Sequence, residues 1–341
     1  MSHPSRSPAG PRERWIAARV RRRLRAARYW YSIGELDEAV RAGRQALALA
    51  RSRPAGVGSA LLLADIALTV ARAEQDRDHA DAAQDQLTFA RSLLESTIGT
   101  GTRIGDDSRL DEGARLLAWT LIGLGENHRR AGRYPQAVET LDQAIELAQA
   151  HPGPRLLLTA ALTGRAITAK ELGEYDQAAR GYARVQQIHD DAGATPASMA
   201  TLAHNLSGLE YAQGRYAQAE SHARRALDLR RRGPGSKVDV AADLAVLAAA
   251  IAAQHRPDEA REMFEQALSI CRAAHPPRRY EIAVQLHGLA AVEHAAGRLD
   301  HAERRYREAL ALKEDLLGPG HPEVGNLSRL LDEGPFQHAD Q

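Results

Sequence analysis

Residues 201–230 read TLAHNLSGLEYAQGRYAQAESHARRALDLR and describe two short amphipathic helices joined by a glycine. Leucines recur every three to four residues in the first helix, at positions 202, 206 and 209, and alanines do so in the second, at 219, 223 and 226. Gly214 ends the first helix, because glycine enters the left-handed cap conformation without a steric cost. One helix pair of this length cannot bury a core, so it must pack on copies of itself.

Copies of this pattern recur along most of the chain. Turn residues follow one another at intervals of 41 to 44 residues, with one interval of 54: Gly34, Asp78, Gly132, Gly173, Gly214, His255 and Gly297. An alanine lies five places after every turn: Ala39, Ala83, Ala137, Ala178, Ala219, Ala260 and Ala302. A small residue lies seven places before it: Ala27, Ala71, Gly125, Ala166, Ser207, Ala248 and Ala290. Small residues in this register predict the seam along which two paired helices touch.

The pattern resembles the tetratricopeptide repeat family, and its period resembles the kinesin-light-chain type with repeats of 40–42 residues. The segments GRYPQAVETLDQAIEL (132–147), GRYAQAESHARRALDL (214–229) and ALALKEDLLGPGHPEV (309–324) carry this resemblance. It implies an all-α fold, a right-handed solenoid of about seven helix-turn-helix repeats. We expect the solenoid to span residues 12–331, with a loop insertion at 98–113 and a capping helix at 321–331. Residues 1–11 and 332–341 are expected to be disordered.

Composition and charge bound the function. Aromatic residues make up only 4% of the chain, which favours closely packed helices. The single cysteine, Cys271, excludes an intramolecular disulfide and a cysteine-based zinc cage. No apolar run is long enough to span a membrane and no secretory signal is visible, so we expect a cytoplasmic protein without membrane contact. The excess of arginine over lysine, together with the many alanines, is typical of a GC-rich bacterial genome.

The strongest asymmetry of charge lies at the amino terminus. Residues 1–32 hold nine arginines against Glu13, although the formal net charge of the whole chain is only +1. A helix is predicted from Arg12 to Ser32, with Trp15, Val20, Leu24, Ala27 and Tyr31 on its apolar face. Its arginine face could complement the more acidic remainder of the chain, dock an acidic partner or contact nucleic acid.

Motifs for catalysis or cofactor binding are weak. The stretch GTGTRIG (99–105) lacks the preceding strand of a phosphate-binding loop. His287, His294 and His301 have wider spacing than metal ligands prefer. We therefore predict no catalytic residue, no cofactor and no metal, and interpret the protein as a non-enzyme.

The family resemblance implies that the first helix of each pair lines a concave groove. Numbering each repeat so that its turn is place 15, the stripe at places 2, 5, 9 and 12, with Asn205 at place 6, supplies the candidate binding residues: Arg21, Arg28, Tyr31, Arg72, Trp119, Glu126, Arg129, Lys170, His204, Asn205, Tyr211, His287 and His294. The groove would be basic at its amino-terminal end and apolar at the other. Such a surface suits a peptide with one acidic and one apolar end.

We therefore expect a scaffold that binds a protein or peptide in this groove and acts in bacterial regulation or signalling. Three other interpretations stay open from the residues. The stripe residues could pack a closed superhelix, the arginine-rich helix could associate with nucleic acid, and an unrecognised enzyme site could lie in the groove.

Overall fold

A computed structural model describes residues 10–99, 107–151, 153–233 and 236–333. In these ranges the chain forms fifteen α-helices and no strand, as the repeat pattern predicted. The helices are α1 Pro11–Ser32, α2 Leu36–Arg51, α3 Val57–Gln75, α4 Ala80–Gly99, α5 Asp107–Arg130, α6 Tyr134–Ala150, α7 Arg155–Glu171, α8 Tyr175–Ala192, α9 Pro196–Ala212, α10 Tyr216–Arg232, α11 Lys237–Ala252, α12 Pro257–Ala273, α13 Arg279–Ala295, α14 Leu299–Leu317 and α15 Pro322–Glu333. None of the described helices is long and apolar enough to cross a membrane.

The described chain divides into two compact units. Unit 1 comprises Met1–Asn127 and Glu146–Gly153, and unit 2 comprises His128–Ile145 and Pro154–Gln341. Within unit 1, α1 packs on α2 and α3 packs on α4. Within unit 2 the antiparallel pairs are α7–α8, α9–α10, α11–α12 and α13–α14. Each pair also contacts the next along unit 2, which is the packing of a helical repeat array.

The seven turn residues share one backbone conformation. All have positive φ, between 60° and 85°, including the two that are not glycine, Asp78 and His255. This region is open to glycine but costs other L-residues energy. The two repeats whose turn residue is not glycine, at Asp78 and His255, therefore have the same sign of φ at the turn as the repeats with glycine.

The predicted seam is buried throughout. All seven alanines that follow the turns are at most 1% exposed. The seven small residues that precede the turns are also buried. The one hydroxyl among them is satisfied, because Ser207 Oγ donates to the carbonyl oxygen of Ala219 at 2.8 Å. Paired helices therefore approach closely along alanine, and leucine and isoleucine fill the space between neighbouring pairs.

Within unit 2, the residues at the start of α15 contact the turn between α5 and α6. The ring of His321, just before α15, is 5% exposed, and its Nε2 lies 2.8 Å from the carbonyl oxygen of Arg130. Pro322 packs over the turn at Gly132, where an added Cβ would lie 2.8 Å from the proline Cδ. The predicted closing helix is present as α15, and it joins the last repeat of unit 2 to the first residues of that unit.

Two sequence-based expectations differ from the structure. The loop predicted at 98–113 is shorter, because α4 extends to Gly99 and α5 begins at Asp107; residues 100–106 lie outside the described ranges. Trp15 was predicted on the apolar face of the first helix but is 56% exposed. The guanidinium carbon of Arg19 lies over the Trp15 ring, 4.5 Å from its centroid, in a cation–π contact. Residues 1–9 and 334–341, in the predicted disordered ends, also lie outside the described ranges.

The turn geometry predicts opposite effects for two substitutions. His255 is exposed and has a φ of 60°, so His255→Gly removes a strain of about 1–2 kcal/mol. The added freedom of the unfolded glycine offsets part of this gain, about 0.5–1 kcal/mol. We expect a higher midpoint of urea denaturation for His255→Gly. Gly214→Ala, at a φ of 74°, should lower it. Equal midpoints for both variants and the wild type would contradict this account of the turns.

Candidate functional site

A cavity in unit 1 brings four of the predicted groove residues together. It lies among α1, α3 and α5 and has a volume of about 350 Å³, within the range of small-ligand and side-chain pockets. Its lining consists of Tyr31, Leu68, Arg72, Gln75, Asp76, Trp119, Ile122, Gly123 and Glu126. Aromatic and aliphatic side chains therefore share the wall with one cation and two carboxylates.

Arg72 and Trp119 form the central contact of this cavity. The guanidinium carbon of Arg72 lies 4.6 Å from the centroid of the Trp119 ring, a cation–π geometry. Burial is the main cause that lowers the pKa of Arg72, although the guanidinium stays charged at neutral pH. Within the described residues no carboxylate forms an ion pair with it. The cavity therefore holds a partly desolvated cation whose hydrogen-bond donors are not used by an ion pair.

Equivalent places in the preceding repeat show why Arg72 is left unpaired. Arg28 and Arg72 both occupy place 9 of their repeats, and each points at place 2 of the next. For Arg28 that place is Asp65, and the two side chains pair at 2.5 Å. For Arg72 it is Trp119. The same geometry thus gives an ion pair in one repeat and a cation–π contact in the next.

Hydrogen bonds hold the wall between α3 and α5 in place. Gln75 Nε2 donates to Asn127 Oδ1 at 2.7 Å and to the Gly123 carbonyl oxygen at 3.0 Å. The Asn127 amide in turn donates to the Ala80 carbonyl oxygen at 3.3 Å. Gly123 also permits a close approach of α5 to α4, because an added Cβ would lie 2.8 Å from Cδ2 of Leu87. The walls of the cavity are therefore preorganised.

Two predicted groove residues of unit 1 lie outside the cavity lining. Arg21 is exposed on α1, and Arg28 is engaged with Asp65. The basic end expected for the groove is therefore reduced to Arg72 at the cavity itself.

The predicted residues of unit 2 have varied surroundings. Arg129 pairs with Glu171 at 2.6 Å. His204 Nδ1 lies 2.8 Å from Oδ1 of Asp243, whose other oxygen accepts from Arg230 Nε at 2.7 Å. These side chains form ion pairs or hydrogen bonds between neighbouring repeats, so they stabilise the fold. Lys170 differs from them, since no described carboxylate forms an ion pair with it.

The remaining predicted residues are aromatic, imidazole or amide groups. Tyr211 is 43% exposed, and its ring centroid lies 5.4 Å from that of Tyr216. His287 and His294 both pack edge-on against the Tyr306 ring, at 5.5 and 6.4 Å between centroids. Burial, followed by the charge of Lys313, lowers the pKa of His287 to about 4, so its ring is neutral at physiological pH. Asn205 on α9 is half-buried.

The candidate set omitted two acidic residues that lie at a cavity or in a buried ion-pair network. Asp76 lines the cavity of unit 1 just beyond the end of α3. Asp243 is fully buried in α11 and holds two partners. A sequence signal for Asp243 existed, because it is a carboxylate within the otherwise apolar run VAADLAVLAAA. Among the described residues, no group of three or more histidine, cysteine or acidic side chains is arranged to hold a metal ion.

Comparison with protein families agrees with this architecture. Models described as tetratricopeptide repeat match residues 116–191, 198–273 and 282–323, which together are more than half of the chain. The chain therefore belongs to the tetratricopeptide repeat family, as the repeat pattern predicted. No curated protein sequence matches it.

Solved structures with the same fold include a peptide complex and a phosphatase. NprR in complex with its cognate peptide NprX is 11% identical with a TM-score of 0.65, and the match covers 96% of this chain and 86% of that one. Aspartyl phosphate phosphatase F from Bacillus subtilis is 12% identical with a TM-score of 0.62, over 90% and 73%. BtubC (BKLC) from P. vanneervenii is 23% identical with a TM-score of 0.51, over 69% and 94%. At these identities the likeness concerns the fold alone.

The buried network around Asp243 generates a stability prediction. Asp243→Asn removes the charge that Arg230 and His204 share in the interior, so we expect the free energy of unfolding to fall by about 3 kcal/mol. The matched control is Asp228→Asn, which breaks an exposed pair with Arg232 and should change stability little. Urea denaturation of both variants at low and high salt measures the difference. Equal stabilities of the two variants would show that the buried network contributes nothing.

Proposed function

We propose that this protein is a scaffold that binds a peptide or a segment of a partner protein at the cavity of unit 1. The observation that carries this proposal is Arg72 stacked on Trp119 in an open cavity without an ion pair of its own. A partly buried cation in a preorganised pocket, whose wall combines apolar side chains with polar ones, is typical of a binding site. The named peptide complex of NprR, which shares the fold, supports the same class of function.

The cavity lining defines the chemistry of the segment it would bind. Leu68 and Ile122 offer apolar contact, and the Trp119 ring offers a flat surface to an aliphatic or aromatic side chain. Arg72 supplies donors for a carboxylate, since a guanidinium can stack on an aromatic ring and still donate in its own plane. The ligand in this proposal is an extended peptide that combines an acidic residue with adjacent apolar ones.

The proposal includes action by binding rather than by catalysis, in a cytoplasmic regulatory or signalling role. Catalysis by the single thiol is disfavoured, because burial raises the pKa of Cys271 to about 11, so the nucleophilic thiolate is scarce at neutral pH.

Substitution of Arg72 tests the proposal directly. The probe is a set of fluorescein-labelled decapeptides that carry glutamate in one half and leucine or valine in the other, measured by fluorescence anisotropy. Arg72→Met keeps most of the aliphatic stem and removes the charge, so we expect the affinity of bound peptides to fall about tenfold or more. Trp119→Ala should have a similar effect.

Arg21→Met provides the matched control, because Arg21 is exposed and lies outside the cavity. It should leave peptide affinity unchanged. Arg28 and Arg129 are poorer choices, since each is held in an ion pair and its loss would disturb the fold. Failure of every peptide to bind, or equal binding by wild type, Arg72→Met and Trp119→Ala, would overturn the proposal.

A second candidate function is supported by the outer face of α1. Five exposed arginines on this helix form no ion pair within the described residues: Arg12, Arg14, Arg21, Arg22 and Arg25. Trp15 and Tyr29, which are 56% and 57% exposed, lie on the same helix. Clustered arginines with exposed rings suit a phosphate backbone and stacked bases.

Salt dependence tests this second candidate. We expect a labelled single-stranded oligonucleotide to bind the wild-type protein, with an affinity that falls steeply as salt rises. Replacing Arg14, Arg21 and Arg25 by glutamine should weaken binding and flatten the salt dependence. The matched variant replaces Arg231 and Arg232, which are exposed on α10, and should bind as the wild type does. Salt-independent binding, or no effect of the α1 substitutions, would rule the candidate out.

A further inference from the structure

The chain contains three lysines in three different situations. Lys237 is exposed at the start of α11. Lys313 is 5% exposed, and its ammonium donates to Oε2 of Glu323 at 2.7 Å. Lys170 is half-buried on α7 and forms neither an ion pair nor a hydrogen bond with any described residue. A partly buried ammonium without an ion-pair partner is an unusual feature that needs a physical reason.

The surroundings of Lys170 explain why it is unpaired. Its neighbouring carboxylate, Glu171, is engaged with Arg129 at 2.6 Å. On the facing helix α9, an added Cβ at Gly208 would lie 3.6 Å from the Lys170 Nζ. The ammonium therefore lies close to a glycine and to a carboxylate that is already paired with another cation.

The repeat pattern shows which partner is missing. Arg129 and Lys170 both occupy place 12 of successive repeats. Arg129 pairs with Glu171, at place 13 of the next repeat. The residue equivalent to Glu171 for Lys170 is Ala212. The cation is retained while its internal carboxylate is replaced by a methyl group, and space is left open in front of it by Gly208.

We propose that Lys170 is an anion-binding site of unit 2 and that it binds a carboxylate side chain of an acidic peptide across Gly208. The carboxylate of the ligand would pair with Lys170 as the Glu171 carboxylate pairs with Arg129. Because residue Lys170 is not fully buried, part of its side chain is open to a ligand. This inference concerns a second site in a different unit from the Arg72 cavity, so it stands or falls independently of that cavity.

Burial supports the assignment by its effect on stability. Desolvation lowers the pKa of Lys170, with Glu171 opposing and Arg129 reinforcing the effect. The unfolded chain therefore takes up its proton at higher pH than the folded chain does. The cost to folding appears as the pH falls below the unfolded pKa, and it is complete below the folded pKa. A bound carboxylate would remove this cost. Binding residues often lower the stability of the free protein in this way.

Lysine NMR gives a direct test, because three lysines give three resolvable ¹³Cε signals. The Lys170 signal should titrate at lower pH than that of Lys237 in the free protein. Millimolar Ac-Ala-Glu-Ala-NH₂ should move the Lys170 titration to higher pH, whereas Ac-Ala-Gln-Ala-NH₂ should not. Gly208→Leu, which covers the ammonium without changing its charge, should abolish the response. A response to inorganic phosphate but not to the glutamate peptide would overturn the assignment to a carboxylate.

Thermal denaturation of the lysine variants is the second measurement. Lys170→Met should raise the melting temperature of the free protein by about 1–3 °C at pH 7 and remove the stabilisation by the glutamate peptide. Lys313→Met should lower the melting temperature, because it leaves Glu323 without its ammonium partner, and Lys237→Met should leave it unchanged. A lower melting temperature for Lys170→Met, or an identical peptide response in wild type and Lys170→Met, would show that Lys170 is only structural.

Discussion

The close approach of helices through small side chains is the constraint on which the rest of this structure depends. At Gly181 an added Cβ would lie 2.9 Å from the Cβ of Ala166 on the paired helix. At Gly288 it would lie 2.3 Å from the Phe264 ring of the preceding repeat. Contact at this distance brings whole backbones together, so a modest aliphatic content is enough to bury a continuous core. The low aromatic content of the chain follows from the same geometry.

Close helix contacts leave little room for solvent around polar groups, and the fully buried carboxylates Glu74 and Asp243 are each paired with cationic side chains. Glu74 is fully buried and accepts from Arg44 at 2.8 Å and Arg77 at 2.7 Å. Asp243 is satisfied in the same manner by Arg230 and His204. Such pairs are costly to break once formed, since the remaining charge would be stranded in the interior. Against this background, an inward-facing cation without a carboxylate partner marks a place where packing alone does not account for the residue.

The fold was predictable from the sequence because its determinants are local and repeated. Small residues in register with the turns define the helix pairs, and the positive φ at His255 shows that this register outweighs the loss of a glycine. The site was only partly predictable. Tyr31, Arg72, Trp119 and Glu126 were placed on a common stripe and do line one cavity. The sequence did not predict which cations form ion pairs, because these pairs join side chains about forty residues apart in neighbouring repeats.

Repeat symmetry nevertheless contains that missing information, once two places are compared along the array. Arg28 and Arg72 are equivalent, and so are Arg129 and Lys170. In each couple the first cation meets a carboxylate of the next repeat, and the second meets Trp119 in one case and faces Gly208 in the other. A repeat that duplicates its neighbour would retain the internal ion pair. A repeat that keeps the cation but lacks the equivalent carboxylate leaves that cation without its ion pair, and this is the ground for the proposal that a bound ligand supplies the carboxylate. The difference between equivalent positions, more than the charge of a single position, is therefore the basis on which Arg72 and Lys170 are proposed as binding residues.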